Sequence, residues 1–367
     1  MTADDDAALR GLAARSMIAE DARWGMDVIL SGQSGDISGY LPLLLGHHWV
    51  RIAYEGARVL RSPDPATGVP ALAELLRDRY AAITARGRHA AKLLDDTKKG
   101  YDHVLAELDA VLDEHNAQLT GNASRWLRRL ETDLGLYTIS GKVAGASISA
   151  GYRLGLELGD GGRIAGEAIG AVSEEWGGTL AVLGAAALDA RPPSVTLDLE
   201  RANIGYRDRL AAKYFRGRFG QDYGLGLKSV LLLVEGDLNT SVHLLPITAT
   251  GHETAVFRAR TVTLYHALTA VRQVLDRDVG PDTAPLRALR GLLDDAPAAR
   301  LSSNEGRQVR NVCVHYVIRT RGLPLDWSLP MFGLIESLFP GNTWQGFDDD
   351  LIDTARRLSE CLDNWRS

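Results

Sequence analysis

The chain has 367 residues, 45% of them hydrophobic and 24% charged, enough for one sizeable core or more and typical of a soluble globular protein. A formal net charge of −6 argues against a dedicated nucleic-acid binder, while leaving room for local basic patches. The start "MTADDDAALRG" carries no secretion signal and no uncharged apolar run is long enough to span a bilayer, so a cytoplasmic protein is expected. Cys313 and Cys361 then read as buried structural thiols.

In chain order, residues 7–30, 41–61, 69–95 and 97–117 carry apolar residues at three- and four-residue spacing, which predicts helices. "SPDPATGVP" (62–70) and "TGNAS" (120–124) punctuate them as turns, and Asn122 or Ser124 is a candidate cap for "RWLRRLETDL". The run "GYLPLLLGHHWVRIAYEG" reads as a core helix with Trp49 and Tyr54 as packing anchors. Between 135 and 190 glycine recurs every four residues (Gly141/Gly145, Gly151/Gly155/Gly159, Gly162/Gly166/Gly170), a spacing that on a helix permits close backbone packing. Such spacing is best known from membranes, but Glu157, Asp160, Arg163 and Glu167 favour a soluble bundle.

"DARPPSVTLD" (189–198) is the best domain boundary, dividing a helical module at 1–190 from a second helical domain at 191–367. Beyond it, 225–246 is strand or helix, with its length favouring helix. The segment 252–280 is an amphipathic helix ended by Gly280–Pro281, and further helices follow at 284–295, 304–320, 328–339 and 347–365. The fold class expected is all-α, built of helical bundles.

The chemistry concentrates in "RQVRNVCVHYVIRTRG" (307–322). On a helix Val309, Val312, Cys313, Tyr316 and Val317 form a core-facing stripe, with Asn311 and His315 four apart at its edge. Arg310 stands about 140° around from His315, and Val314 and Ile318 fall on the opposite side. A helix apolar on nearly every side needs a second cover, and a symmetric copy packed against the 304–320 helix is the economical one.

Arg310, Asn311 and His315 in "RNVCVHY" resemble the R-[polar]-x-x-x-H signature of the HEPN superfamily, whose helical domains often act as metal-independent ribonucleases. The resemblance covers the last 115–165 residues and implies an up-and-down bundle that dimerises around the motif helix. It also implies RNA cleavage by the 2′-hydroxyl, leaving a 2′,3′-cyclic phosphate and a 5′-hydroxyl, in a toxin or antiviral effector kept inactive until triggered. His315 would be the general acid/base, Arg310 the phosphate-gripping charge and Asn311 the positioning residue; no cofactor and no metal are expected. The first 190 residues would be a regulatory or sensing module, with a regulatory protein as possible partner.

Two basic patches make RNA, single-stranded or transfer RNA, a reasonable partner. Across 300–321 five arginines, Arg307, Arg319 and Arg321 among them, face the single acid Glu305, a local +4. "RANIGYRDRLAAKYFRGRF" (201–219) sets Arg207, Arg209, Lys213, Arg216 and Arg218 among Tyr206, Tyr214, Phe215 and Phe219, as backbone contacts with base stacking require. An amphipathic helix with a solvated basic face explains the same pattern. His47 and His48, as neighbours, point to different faces, and neither a zinc motif nor a phosphate loop nor a nucleophile elbow occurs. Asp348–Asp350 read as charges favouring a helix start. Two other readings stand beside the nuclease: a non-catalytic scaffold that uses the same helix, and a membrane-acting effector that uses the glycine-spaced segment.

Overall fold

The structure, a computed structural model, describes residues 3–33, 35–60, 78–92, 102–103, 105–106, 108–111, 133–156, 166–186, 194–220, 223–276, 283–319 and 323–365. The turn at 62–70, the candidate caps Asn122 and Ser124, the start of the segment at 189–198, Gly159 and Gly162, Gly280–Pro281 and Arg321 lie outside them.

The chain is predominantly helical. Helices α1 (Ala3–Gly32), α2 (Leu41–Leu60) and α3 (Asp78–Lys92) open it. Strands β1 (Leu134–Ile139) and β2 (Lys142–Ala146) precede α4 (Ser147–Arg153) and α5 (Gly166–Ala186). Strand β3 (Ile204–Arg209) leads into α6 (Ala211–Phe219), α7 (Leu225–His243) and α8 (Glu253–Leu275). Then come α9 (Ala284–Asp294), α10 (Ala296–Ser302), α11 (Asn304–His315), α12 (Leu334–Leu338) and α13 (Trp344–Asp363).

The small antiparallel sheet, in the order β2-β1-β3, is the departure from an all-helical reading. Glycine spacing in this stretch reads as helical, yet "YTISGKVA" alternates around a two-residue turn. Ser140 and Gly141 both take positive φ (50° and 81°), the conformation whose twist suits a tight hairpin. Gly155 is needed for another reason: a Cβ there would lie 2.3 Å from the Ile83 carbonyl oxygen. Its absence lets the end of α4 sit directly on α3. Helix α5 keeps Val172, Trp176, Leu180 and Leu183 buried against α1 and α2, so its apolar side is used inside the protein. Among the described residues no helix is long and apolar enough to cross a membrane.

Residue 190 does not separate two packing units. Strand β1 pairs with β3 from the other side of it, β2 lies on α7, α1 touches α8, and one apolar core runs from Ala13 to Trp365. Asn239 of α7 ties the halves again, its Nδ2 donating to the Val143 carbonyl at 2.8 Å while its Oδ1 accepts from Ser359 at 2.6 Å.

Helix α11 lies between α8 of the second half and α2 of the first. Val314 and Ile318, which as an exposed apolar back called for a symmetric copy, are buried within the chain itself. The second cover is the N-terminal half, so the sequence argument for a dimer through 304–320 loses its ground. The helix is also shorter than its apolar periodicity implies. Ser303 caps its start by accepting from the Gly306 N–H at 3.1 Å. It ends at His315, because Tyr316 takes a left-handed conformation (φ 59°) and Val317–Arg319 run without helix.

Asp348–Asp350 do not cap α13. Thr343 does, while Asp348 pairs with Arg260 and Asp350 with Arg300.

Candidate functional site

Two ionic clusters fix the end of α11. In the first, Tyr316, Asp21, Arg51 and Arg258 are all buried. Tyr316 donates its hydroxyl to Asp21 Oδ2 at 2.8 Å, and Arg51 donates to the same oxygen at 2.9 Å and to the Cys313 carbonyl at 2.6 Å. Arg258 closes the far side through Asp21 Oδ1 at 2.7 Å. A left-handed tyrosine costs on the order of 1–3 kcal/mol, and persists where the surroundings over-determine it, as these contacts do. Arg51 also places a cation on a last-turn carbonyl of the helix, where the helix dipole favours it.

The second cluster surrounds Glu55 of α2, whose side chain is 0% exposed. Arg88 donates to its Oε1 at 2.9 Å, Arg58 reaches Oε2 at 2.9 Å, and His315 Nδ1 lies 3.0 Å from Oε2. Burial works to raise the Glu55 pKa, but the hydrogen bond from His315 and the Arg88 charge outweigh it and bring it to about 2. Glu55 is therefore an ionised acceptor, and the proton between it and His315 belongs to Nδ1. Arg58 Nη2 also lies 3.2 Å from Nδ1, but a guanidinium only donates, so Glu55 is the shared acceptor of both. Burial pulls the imidazole pKa below its ordinary value against the pull of Glu55, with Arg88 and Arg310 adding to the lowering. At neutral pH His315 is uncharged, and with the proton on Nδ1 its Nε2 is the unprotonated nitrogen.

His315 is 23% exposed and lines a groove of about 200 Å³ together with Arg58, Gln308, Asn311 and Arg319. Asn311 and His315 thus share a wall, as their spacing requires. Arg310 does not line that groove. Its guanidinium sits over the Tyr265 ring, 5.3 Å from the centroid, and Nη1 donates to Asn311 Oδ1 at 2.9 Å. Burial, then repulsion from Arg88, lowers its pKa to about 10. Arg58 and Arg319 line the groove where Arg310 does not, and Glu55 rather than Asn311 is bonded to His315 Nδ1. Sequence reading missed Glu55, Arg58 and Arg88. The available signal was Arg51 and Glu55, four apart on the apolar face of α2, whereas Tyr54, read as a packing anchor, is exposed.

The other basic residues divide. Arg307 is exposed on α11, and Arg207, Arg209, Lys213 and Arg216 are exposed on β3 and α6. Arg218 is occupied, reaching Glu235 at 2.5 Å and Asp363 at 3.1 Å. Phe215 and Phe219 are buried toward Trp365 and Tyr223, so they offer no stacking surface. Tyr206 is exposed but lies across Gly135, with its ring 5.6 Å from Tyr137.

His47 and His48 do not diverge; their rings are 3.9 Å apart, beside His266 at a cavity of about 20 Å³. No group of three His, Cys, Asp or Glu among the described residues is arranged to hold a metal. Cys313 is buried, which pushes its thiol up to about 12, and Cys361 is half-buried. A cavity of about 630 Å³ between α9 and α13 has no histidine in its lining. No family model matches the chain, and no characterised protein or solved structure matches it either.

Proposed function

We propose that the groove beside His315 cleaves single-stranded RNA without a metal, as the HEPN resemblance of Arg310, Asn311 and His315 implies. The observation that carries this reading is the geometry of His315: Nδ1 bound to a buried carboxylate at 3.0 Å, the imidazole edge open to a groove that holds Arg58 and Arg319. A neutral histidine fixed in one tautomer is a general base, and here Nε2 takes the proton of the 2′-hydroxyl. The 2′-oxygen attacks phosphorus as the bond to the 5′-oxygen breaks, the proton held on Nε2 passes to that departing oxygen, and the two arginines balance charge on the phosphoryl oxygens. Arg310 acts at one remove, through Asn311. A toxin or defence setting, with activity restrained until triggered, belongs to the same proposal.

A second reading, a scaffold without catalysis, is favoured by the attachment of Arg310 to Tyr265 and Asn311 and by the ionic contacts that bind α11 to α2. One experiment separates the two. Labelled single-stranded RNA and transfer RNA are incubated in EDTA with the wild-type chain, His315→Ala and Glu55→Gln, after each is shown to be folded. Cleavage by the wild type alone, with cyclic-phosphate ends, supports the nuclease. Equal background from all three folded chains, across several RNAs, supports the scaffold.

A further inference from the structure

We infer that a second groove, adjoining that of His315, is a phosphate subsite for the backbone of a single-stranded polynucleotide; the inference rests on the RNA reading above. This groove, about 450 Å³, is walled by Arg10, Arg15, Arg58 and Arg319 with Leu60 and Ile318 among its apolar residues. Arg58 and Arg319 line both grooves, so the two form one track, and among the described residues no acidic side chain lines either.

The four arginines are not equivalent. Arg10 is built into the wall: it pairs with Asp6 at 2.8 Å and donates to the carbonyls of Ile318 and Leu323 at 3.3 and 3.0 Å. Arg58 places its Nη2 on Glu55 and, half exposed, leaves only the rest of its guanidinium to the grooves. Arg15 and Arg319 supply the binding capacity. Arg15 lines the groove and, among the described residues, its Nη2 has no hydrogen-bond partner, while Arg319 is exposed at the junction of the two grooves. A guanidinium fork matches two oxygens of one phosphate, and repeated arginines along a track match an anion with repeated charges. The apolar wall suits sugar and base faces between phosphates, which a free inorganic ion lacks. The strand therefore places one phosphate at His315, Arg58 and Arg319 and another at Arg15.

The test is fluorescence anisotropy with a labelled 2′-O-methyl oligouridylate of twelve nucleotides, which cannot be cleaved by 2′-hydroxyl attack, read between 50 and 200 mM KCl. Each phosphate neutralised on a single strand contributes a slope of about −0.7 in log affinity against log salt. Arg15→Gln and Arg319→Gln are each expected to weaken binding about tenfold and to flatten the slope by about 0.7, while Arg15→Lys keeps the wild-type slope. Arg319 is exposed, so its variant reads the track even if Arg15→Gln does not fold. Wild-type affinity and slope in folded Arg15→Gln, or in Arg319→Gln, overturn the subsite even where RNA cleavage is intact. Weakened binding by both, in a chain that cleaves no RNA, upholds the subsite and removes the nuclease. Inorganic tripolyphosphate or polyglutamate binding with the same Arg15 and Arg319 dependence, while the oligonucleotide does not bind, overturns the polynucleotide.

Discussion

The two ionic clusters at the end of α11 use nearly the same parts and do different things. Around Asp21, one carboxylate meets two guanidiniums and a tyrosine hydroxyl; around Glu55, one carboxylate meets two guanidiniums and an imidazole. Both carboxylates are fully buried. The difference lies in their partners' exposure: Arg51, Arg258 and Tyr316 are sealed, whereas Arg58 and His315 reach a groove. A sealed cluster serves position alone, and that of Asp21 holds a strained tyrosine and a helix end. The open cluster leaves a partly exposed imidazole and a half-exposed guanidinium at the groove.

The strongest way to break this contrast is to remove each carboxylate. Asp21→Ala leaves buried Arg51 without a carboxylate and Arg258 with Glu20 alone, and loss of one member of a buried pair costs about 3–5 kcal/mol. Urea denaturation should show that loss, and Tyr316 should leave its left-handed conformation. A loss below 1 kcal/mol would show that the sealed cluster is not what positions α11. Glu55→Gln takes the charge from a carboxylate that holds buried Arg88, so it too lowers stability, and its effect on chemistry is read in the chain that still folds. The substitution allows the wrong His315 tautomer and lowers RNA cleavage about 10²-fold, with more effect on kcat than on KM. Equal rates for Glu55→Gln and wild type would sever Glu55 from the reaction.

Proton uptake gives the next largest effect. His47, His48, His252, His266 and His315 all lie below their ordinary pKa, in each case chiefly through burial, and His266 is brought to about 3. The unfolded chain therefore binds more protons once pH falls below about 6.5, so stability decreases with falling pH, by at most about 1.4 kcal/mol per unit for a histidine such as His266 that stays neutral in the fold. Glu235 opposes one of them. Burial raises its pKa to about 7, so the cost of its charge fades as pH falls from 7 toward 4.5. Glu55, held at about 2, retains its contribution until far lower pH. Melting temperature should therefore fall between pH 7 and 5.5, and less steeply in His266→Gln. A flat profile would mean that these imidazoles are as accessible to protons as in the unfolded chain.

How much of this was written in the sequence depends on the range of the interactions. Helices α1, α2, α8, α9 and α13 were legible because period-3.6 patterning is local. The β1–β2 hairpin was not, since six residues of alternation around Ser140–Gly141 compete with a longer four-residue glycine rhythm. His315 and Asn311 were legible as wall-mates from spacing alone. Glu55, 260 positions away, was not: a carboxylate in an apolar helix announces a buried partner without naming it. The end of α11 at Tyr316 was hidden for the same reason, because contacts from α1 and α2 fix that backbone and its own residue type does not.

The smallest expected effect sharpens the contrast between built sites and mere charge. Arg207 and Arg216 belong to the basic patch of β3 and α6, and both are exposed. That patch is backed by aromatic residues turned into the core, and the one exposed ring, Tyr206, is laid over Gly135. Its arginines can then attract a polynucleotide only through solvent, where charges are screened within about 8 Å at physiological salt. The double variant Arg207→Gln/Arg216→Gln should weaken oligouridylate binding less than threefold, against about tenfold for Arg319→Gln, and leave melting unchanged. If the double variant weakened binding more than Arg319→Gln does, the strand would run along β3, and the groove beside His315 would lose its place as the centre of recognition.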